Sequence, residues 1–588
     1  MLRTFAAIGA ILAVTVAAAP AHAQSSADRQ LSALIARDEQ LERRYDPLTS
    51  ASEGDRAALR LLPDVSRDTE LAARAEFASL RAQVERVDAR RLSPEGALNR
   101  QYLLRSLGLA IERADLDFSR APISNGGGFF TLGDYLAYTT PIQSAADAEA
   151  WIARLEALPR YYQQSITNAR RGIATGYTQP RIVVDRALDT ARAQVATMTT
   201  TLMTPLARMP VSIPAAQQES YRTRARAVIE QNILPAHREA IAFMENEYLP
   251  AARTGLGLRS VPGGEAMYRF LIRAHTTTDM SPEDIHQLGL SEVVRIRAAM
   301  EREIASSGFH GDFAAFQRFL RTDPQFYASS PEDLVEKASE IAKRADDQLP
   351  RLFGTLPRLP YGVRVIPAES AEGSTTAYYT QGSPALGMAG AYWVNTTHLD
   401  QRPLYELPAL TLHEAVPGHH LQIARAQELS ELPYFRRNAF VTAFVEGWGL
   451  YAESLGEDMG MYRTPYERFG RLSYEMWRAC RLVADTGIHW MGWDIEQARR
   501  CFAENSALSP HNIQTELERY IADPGQALAY KIGELRLQSL RREATQTLGE
   551  RFDIRQFHDV VLGAGPLPLD VLETRVRSWV AERQRAAN

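Results

Sequence analysis

The 588-residue sequence predicts a mainly α-helical protein, because helix-start signals recur along it and strand signals are confined to one region. Ser144 and Asp147 form a capping box ahead of an apolar stripe at Trp151, Ile152, Leu155 and Leu158. Residues 281–284 and 330–333 share a second pattern, with serine as N-cap, proline at the first helical position and acids in the first turn. We therefore expect one large helical unit of two lobes, covering about residues 24–270 and 271–588.

Strand-forming residues cluster between residues 361 and 396. Segments 362–366 and 391–395 are rich in β-branched and aromatic residues and are separated by Gly, Ser, Thr and Pro, so they predict strands of a small sheet. This sheet would lie just before the histidine-rich segment 413–420. Its edge could pair with an extended peptide, or the strands could form a hairpin with a purely structural role.

Residues 413–420, with the sequence HEAVPGHH, combine three histidines with a glutamate, and Glu446 follows in the sequence FVEGW. Zinc in hydrolases binds imidazole and carboxylate groups, and a glutamate beside the first histidine is left free to act as a base. The combination predicts a single metal site. Glu446 could be a ligand of that site, or it could form a buried ion pair.

The spacing of the histidines departs from the usual helical pair, in which two ligands stand four residues apart. Four residues after His413 the sequence has Pro417. A regular helix would place His420 about 10 Å further along the axis and would point His419 elsewhere. Because proline lacks a backbone donor and glycine tolerates unusual dihedrals, we expect Pro417-Gly418 to break the helix and return a later histidine to His413.

The pattern HExxPGH followed by Glu-Gly-Trp resembles the bacterial family catalogued as domain of unknown function 885. It is similar in layout to the gluzincin zinc peptidases, which include angiotensin-converting enzyme, thimet oligopeptidase and the Taq-type carboxypeptidases. The resemblance implies a deep helical cleft, one zinc ion on His413, His419 and Glu446, and Glu414 as general base. The family pattern ends at the first histidine after the glycine, which favours His419 over His420 as the second ligand.

Five further residues are candidates for supporting roles. Tyr530, His489 and Lys531 could donate to an oxyanion or bind substrate, and Arg481 could pair with a substrate carboxylate. Each has a structural alternative: a packed tyrosine, a core histidine or a solvated cation. Glu453 lies two helical turns after Glu446, and for it we favour a structural role.

The amino terminus and the overall composition bear on location. Residues 1–23 have a basic start, a short apolar core and Ala21-His22-Ala23, so they predict a cleaved signal peptide without a membrane anchor. A net charge of −5 argues against a nucleic-acid partner. Cys480 and Cys501 are the two cysteines; they could pair in an oxidising compartment or remain buried free thiols.

These observations lead to one functional hypothesis and two alternatives. We expect a periplasmic or secreted zinc metallopeptidase that hydrolyses short peptides, with the catalytic groups in the second lobe. The alternatives are an amidase acting on cell-wall peptides and a periplasmic binding protein with a residual metal site. An intact Glu414 favours a catalyst, since a site that only binds metal needs no base there.

Overall fold

Helices form most of the chain in the computed structural model, which confirms the predicted mainly α-helical fold. The structure describes residues 25–586 apart from 368–370, 372–374, 385–386 and 438. The predicted signal peptide, residues 1–23, lies outside the described residues. Within them, no helix combines the length and the apolar character that crossing a bilayer demands.

The helices of the first half are α1 (Ser26–Tyr45), α2 (Pro47–Ser52), α3 (Arg67–Glu85), α4 (Pro94–Asp115), α5 (Leu132–Thr139), α6 (Ala145–Thr175), α7 (Arg181–Ala207), α8 (Ala215–Val228), α9 (Leu234–Phe243), α10 (Leu249–Ala251), α11 (Gly264–Thr276), α12 (Pro282–Ser306), α13 (Phe313–Thr322) and α14 (Pro331–Leu352). The predicted starts of α6, α12 and α14 are confirmed. Their N-cap serines Ser144, Ser281 and Ser330 each accept a hydrogen bond from a backbone N–H three residues on.

The helices of the second half are α15 (Leu407–Glu414), α16 (His419–Gln427), α17 (Tyr434–Arg437), α18 (Thr442–Asp458), α19 (Pro465–Thr486), α20 (Ile495–Asn505), α21 (Pro510–Ala522), α22 (Ala529–Leu548), α23 (Ile554–Leu562) and α24 (Leu569–Arg585). Helix α18 packs along α22, and α15 packs on both α18 and α19. A disulfide between Cys480 and Cys501 links α19 to α20, so the two cysteines are paired.

Two small sheets accompany the helices. A short hairpin is formed by β1 (Ile123–Ser124) and β2 (Gly127–Gly128). The larger sheet has β5 (Gly390–Val394) at its centre, with β3 (Tyr361–Val365) parallel on one side and β4 (Ala377–Thr380) antiparallel on the other. Both predicted strands are confirmed, and β4 is an additional strand between them in sequence.

Several hydrophobic clusters hold the helices together. One involves residues of 123–248 and includes Trp151 and Tyr162. The cluster that surrounds α15 and α18 draws on residues from Tyr102 to Val580, and it contains Trp448 and Tyr392. Tyr392 joins β5 to α15 through a hydroxyl contact of 3.3 Å with Thr411, so the sheet is fixed against the helix that carries His413. The two-lobe division near residue 270 and the deep cleft stay predictions.

Candidate metal centre

The helix that carries His413 ends where the sequence predicts a break. Helix α15 stops at Glu414, and the chain leaves helical geometry at Ala415 (ψ −111°) and Gly418 (ψ −130°) before α16 begins at His419. The peptide bond between Val416 and Pro417 is cis. A side chain at Gly418 would place its Cβ 1.9 Å from the His413 carbonyl oxygen, so the turn requires glycine. The break brings His419 back beside His413.

His413, His419 and Glu446 form a compact cluster, in which one potential ligand atom from each residue lies within 4.8 Å of the others. The Glu446 Oε2 atom is 3.7 Å from His413 Nε2 and 3.6 Å from His419 Nε2. These separations are too long for hydrogen bonds. Two ligands each about 2.0–2.1 Å from a tetrahedral zinc ion stand about 3.3 Å apart, so the cluster is close to the size of one such site.

A second carboxylate fixes the orientation of His413. Glu453 Oε1 lies 2.9 Å from His413 Nδ1 and 3.3 Å from Arg478 Nη2, and Glu453 is only 2% exposed. Metal-binding histidines commonly donate their second ring N–H to a carboxylate, which leaves the other nitrogen as the ligand. Glu453 is therefore a positioning residue for the cluster. Its position two helical turns after Glu446 on α18 is the sequence signal for this contact.

Three glycines allow the close approaches around this centre. A Cβ at Gly449 would lie 2.5 Å from His413 Cε1, so α18 must have glycine where the imidazole rests on it. Helices α18 and α22 cross at Gly447 and Gly533, where a Cβ at Gly447 would lie 2.5 Å from Gly533 Cα. The crossing brings the backbone next to Glu446 against the first turns of α22.

The charges in the cluster compensate one another. Burial raises the pKa of the Glu446 carboxyl, but His413 and His419 outweigh burial and hold that pKa well below its ordinary value. Burial lowers the pKa of His413, yet Glu446 and Glu453 together raise it to about 9. Two buried carboxylates thus stabilise positive charge at this point, which is the electrostatic setting for a bound cation.

Glu414 lies beside the cluster with its carboxylate free. It is buried at the last position of α15, and among the described residues it has no hydrogen bond or ion pair through its side chain. Its charge raises the pKa of the neighbouring His413, and it also raises the pKa of Tyr392. A carboxylate held at this position without a partner can accept a proton.

His420 lies outside the cluster. Its Nδ1 atom is 3.0 Å from the Tyr379 hydroxyl, and its ring lies 4.6 Å from the ring of Tyr361. Burial lowers the pKa of His420 to about 4. Of the two adjacent histidines, the structure places His419 with His413 and places His420 against β3 and β4.

A family model described as bacterial protein of unknown function (DUF885) matches residues 47–576. The chain belongs to this family. It is also similar to a crystal structure of a protein classed as a lipoprotein from Colwellia psychrerythraea, with 28% identity and a TM-score of 0.88 over 95% of this chain and 100% of that one. A protein of unknown function from Shewanella oneidensis, also classed as a lipoprotein, is 17% identical with a TM-score of 0.72 over 94% and 99% of the two chains, and shares the fold. No curated protein matches the sequence.

Within this DUF885 chain, Tyr530 stands near the cluster at the start of α22. Burial, followed by the charge of Glu446, raises the pKa of its phenol. The Arg481 guanidinium lies 4.3 Å from the Tyr530 ring. Arg481 also donates from Nε to the Tyr520 hydroxyl (2.8 Å) and from Nη2 to Glu516 (3.0 Å). Its Nη1 is buried and has no hydrogen-bond partner among the described residues, so the predicted pairing with a substrate carboxylate stays a prediction, while the contact with the ring makes Arg481 a support for Tyr530.

The predicted catalytic role of His489 is contradicted by its contacts. His489 is fully buried; its Nδ1 accepts from the Leu258 N–H (3.1 Å) and its Nε2 donates to the Tyr520 carbonyl (2.9 Å). Burial lowers its pKa to about 3. With both ring nitrogens bonded to backbone, His489 connects the segment 257–258 to α21 and has no nitrogen left for a substrate.

The predicted substrate-binding role of Lys531 is contradicted in the same way. Its side chain is fully buried, and Nζ lies 2.8 Å from Glu475, 2.6 Å from Glu534 and 3.2 Å from Glu292. These carboxylates outweigh burial and raise the pKa of Lys531 above its ordinary value. Lys531 therefore neutralises a buried acidic group that joins α12, α19 and α22.

Proposed function

We propose that this protein is an exported zinc-dependent peptidase, with His413, His419 and Glu446 as the metal ligands. One observation carries the proposal: the three ligand atoms lie within 4.8 Å of one another, and the unpaired carboxylate of Glu414 is adjacent to them. Two imidazoles and one carboxylate are a ligand set of catalytic zinc, which keeps a fourth position open. The number of protein ligands supports one zinc ion per chain.

Several residues of the chain have separate roles in the proposed hydrolysis. When bound, zinc supplies Lewis acidity toward the scissile carbonyl and toward a water molecule. Glu414 accepts the proton of the attacking water and later returns it to the leaving amine. The Tyr530 hydroxyl donates to the developing oxyanion, and Arg481 behind its ring favours negative charge there. Glu453 keeps the His413 ring in the tautomer that presents Nε2 to the ion.

Two resemblances and a disulfide support this proposal. The ligand order, with a glutamate ligand downstream of two histidines, is similar to that of the gluzincin peptidases. The Colwellia neighbour is classed as a lipoprotein, which supports an envelope location for this chain as well. The disulfide between Cys480 and Cys501 fits export, because disulfides persist in oxidising compartments.

The experiment is a digest of a broad peptide library by the mature, zinc-loaded protein, read by mass spectrometry. The variant Glu414→Gln keeps the shape of the side chain and removes the base, so we expect zinc retention and a fall in kcat of about 100-fold or more. The exposed Glu431→Gln serves as the matched control and should behave as the wild type.

Three results would redirect the proposal. Cleavage of cell-wall peptide amides without cleavage of linear peptides would replace the peptidase with an amidase. Stoichiometric zinc with no hydrolysis of either class would favour a binding protein. A Glu414→Gln enzyme of nearly normal kcat would show that another group is the base.

A further inference from the structure

A cavity of about 290 Å³ lies between α1, α4 and the chain that enters α18. It combines opposite charges, a hydroxyl and apolar walls, which come from Glu42, Arg105, Tyr102, Phe435, Phe440 and Val441. Phe440 is 67% exposed, so its ring is accessible at this cavity. The metal cluster contributes none of the lining residues.

Glu42 presents an unpaired carboxylate to this cavity. Among the described residues its side chain forms no ion pair or hydrogen bond, although it is only partly exposed. Burial, and then the charge of Asp46, raises its pKa. The neighbouring Asp46 is already occupied, because it accepts from the backbone N–H groups of Leu48 and Thr49 at the start of α2. A carboxylate in this setting is stabilised by a cation that enters the cavity.

Arg105 supplies the opposite charge from α4. Its Nε is buried without a hydrogen-bond partner, and its one ion pair among the described residues is a 3.4 Å contact from Nη1 to Asp570. Glu42 and Arg105 line the same cavity without forming an ion pair. The cavity wall therefore has a carboxylate without a partner and, apart from it, a guanidinium that has one 3.4 Å ion pair and an Nε without a partner.

Tyr102 adds a hydroxyl and an aromatic ring to the wall of the same cavity. The residue is only 6% exposed, and its hydroxyl has no hydrogen-bond partner within the described part of the chain. On the wall of the cavity, this hydroxyl is available to donate to a bound polar group. The Tyr102 ring meets Phe435 edge to face at 5.5 Å, and these two rings form an apolar wall.

We propose that this cavity binds a small zwitterion, either a free α-amino acid or a dipeptide. The amine lies at Glu42, the carboxylate lies at Arg105 with the Tyr102 hydroxyl donating to it, and the side chain packs on Phe435 and Phe440. The volume is at the lower end for small-molecule pockets and suits a molecule of this size. The site goes beyond the proposed hydrolysis and does not depend on the metal ligands.

The site also borders the helix that carries one residue of the metal cluster. Val441, which lines the cavity, immediately precedes α18, and Glu446 lies five residues further along that helix. At about 1.5 Å of rise per residue, the two positions are about 7.5 Å apart along the axis. A bound zwitterion thus contacts the start of the helix that provides a cluster ligand.

The test is calorimetric titration of the mature Glu414→Gln protein, which lacks the proposed base and leaves dipeptides intact. The probes are L-leucine and L-leucyl-L-leucine, compared with N-acetyl-leucine and leucinamide, each of which lacks one charge. We expect both zwitterions to bind and each capped analogue to bind at least about tenfold more weakly. Glu42→Gln should remove the preference over N-acetyl-leucine, and Arg105→Gln should remove the preference over leucinamide.

Further variants separate this site from the metal centre and from misfolding. Glu39→Gln is the control on the same helix, since Glu39 pairs with Arg43 outside the cavity, and it should bind as the parent does. Tyr102→Phe keeps the shape of the wall and should weaken binding. His413→Ala should bind both zwitterions normally whether or not the protein is a peptidase. Absence of binding at millimolar L-leucine and dipeptide, equal binding of leucinamide, or loss of binding in His413→Ala alone would each overturn the proposal.

Discussion

Replacing Gly449 with alanine should separate His413 from the metal cluster. The new Cβ would lie 2.5 Å from His413 Cε1, 2.8 Å from Nε2 and 2.9 Å from Nδ1. Ordinary contact begins at 3.4 Å, so the imidazole must move by about 0.9 Å. Metal–ligand distances tolerate deviations of only about 0.2 Å. The ring also cannot move freely, because Glu453 holds Nδ1 at 2.9 Å.

We expect Gly449→Ala to lower zinc affinity by about 100-fold or more and to destabilise the fold by about 1–3 kcal/mol through overpacking. Zinc affinity is measured by competition with a chromogenic chelator, and stability by urea denaturation. The matched control is Gly108→Ala in α4, where the nearest atom to a new Cβ is 4.0 Å away. That variant should keep zinc and gain up to about 1 kcal/mol from helix propensity.

Wild-type zinc affinity in Gly449→Ala would refute this reasoning, because it would show that His413 is not held against α18 or is not a ligand. Loss of zinc in both alanine variants would instead indicate that the assay reports general destabilisation.

Three other predictions follow from the described contacts. Glu453→Gln should weaken zinc binding by about 10-fold to 100-fold in the same chelator assay. The urea midpoint of this variant should stay within the range of the midpoints of the other single variants. Burial raises the pKa of Asp485 to about 7 from an ordinary value near 3.9, so the folded state is stabilised fully below about pH 4 and loses this stabilisation as the pH rises through 7. Asp485→Asn should therefore flatten the decline in urea midpoints between about pH 4 and 8, and an unchanged slope would contradict this prediction. Replacing Cys480 and Cys501 by serine opens a loop with a sequence separation of 21, which should cost about 3 kcal/mol, and a reduced wild type should match the double variant.

The motif predicted His413 as a cluster residue and Glu414 as the base beside it, and the resemblance to the family added Glu446. The choice between His419 and His420 depends on the backbone path through 415–418, where dihedrals such as ψ −111° at Ala415 are not specified by residue type alone. A backbone path that brings His419 to His413 and one that brings His420 there are both compatible with Pro417 and Gly418. The resemblance to the family favoured His419, and the three-dimensional structure places it in the cluster.

The supporting residues were less predictable, because their partners come from distant parts of the chain. Lys531 is neutralised by Glu475, 56 residues away, and His489 is bonded to Leu258, 231 residues away. A helical pattern predicts which face of a helix is buried but not which charged side chain meets it. The fold was also predicted only in part. The capped helices were predicted well, whereas the four-residue strand β4 was missed.

Gly447 and Gly533 together set the separation between Glu446 and Tyr530, since each glycine stands within three residues of one of those side chains. A Cβ at Gly533 would lie 1.9 Å from the Ala443 carbonyl oxygen, so a larger residue would force the two helices apart. A related chain could exchange most of the surrounding apolar residues and still keep this spacing if both positions remain glycine. A substitution at either glycine would therefore change the distance between the Tyr530 phenol and the Glu446 carboxylate without altering either side chain.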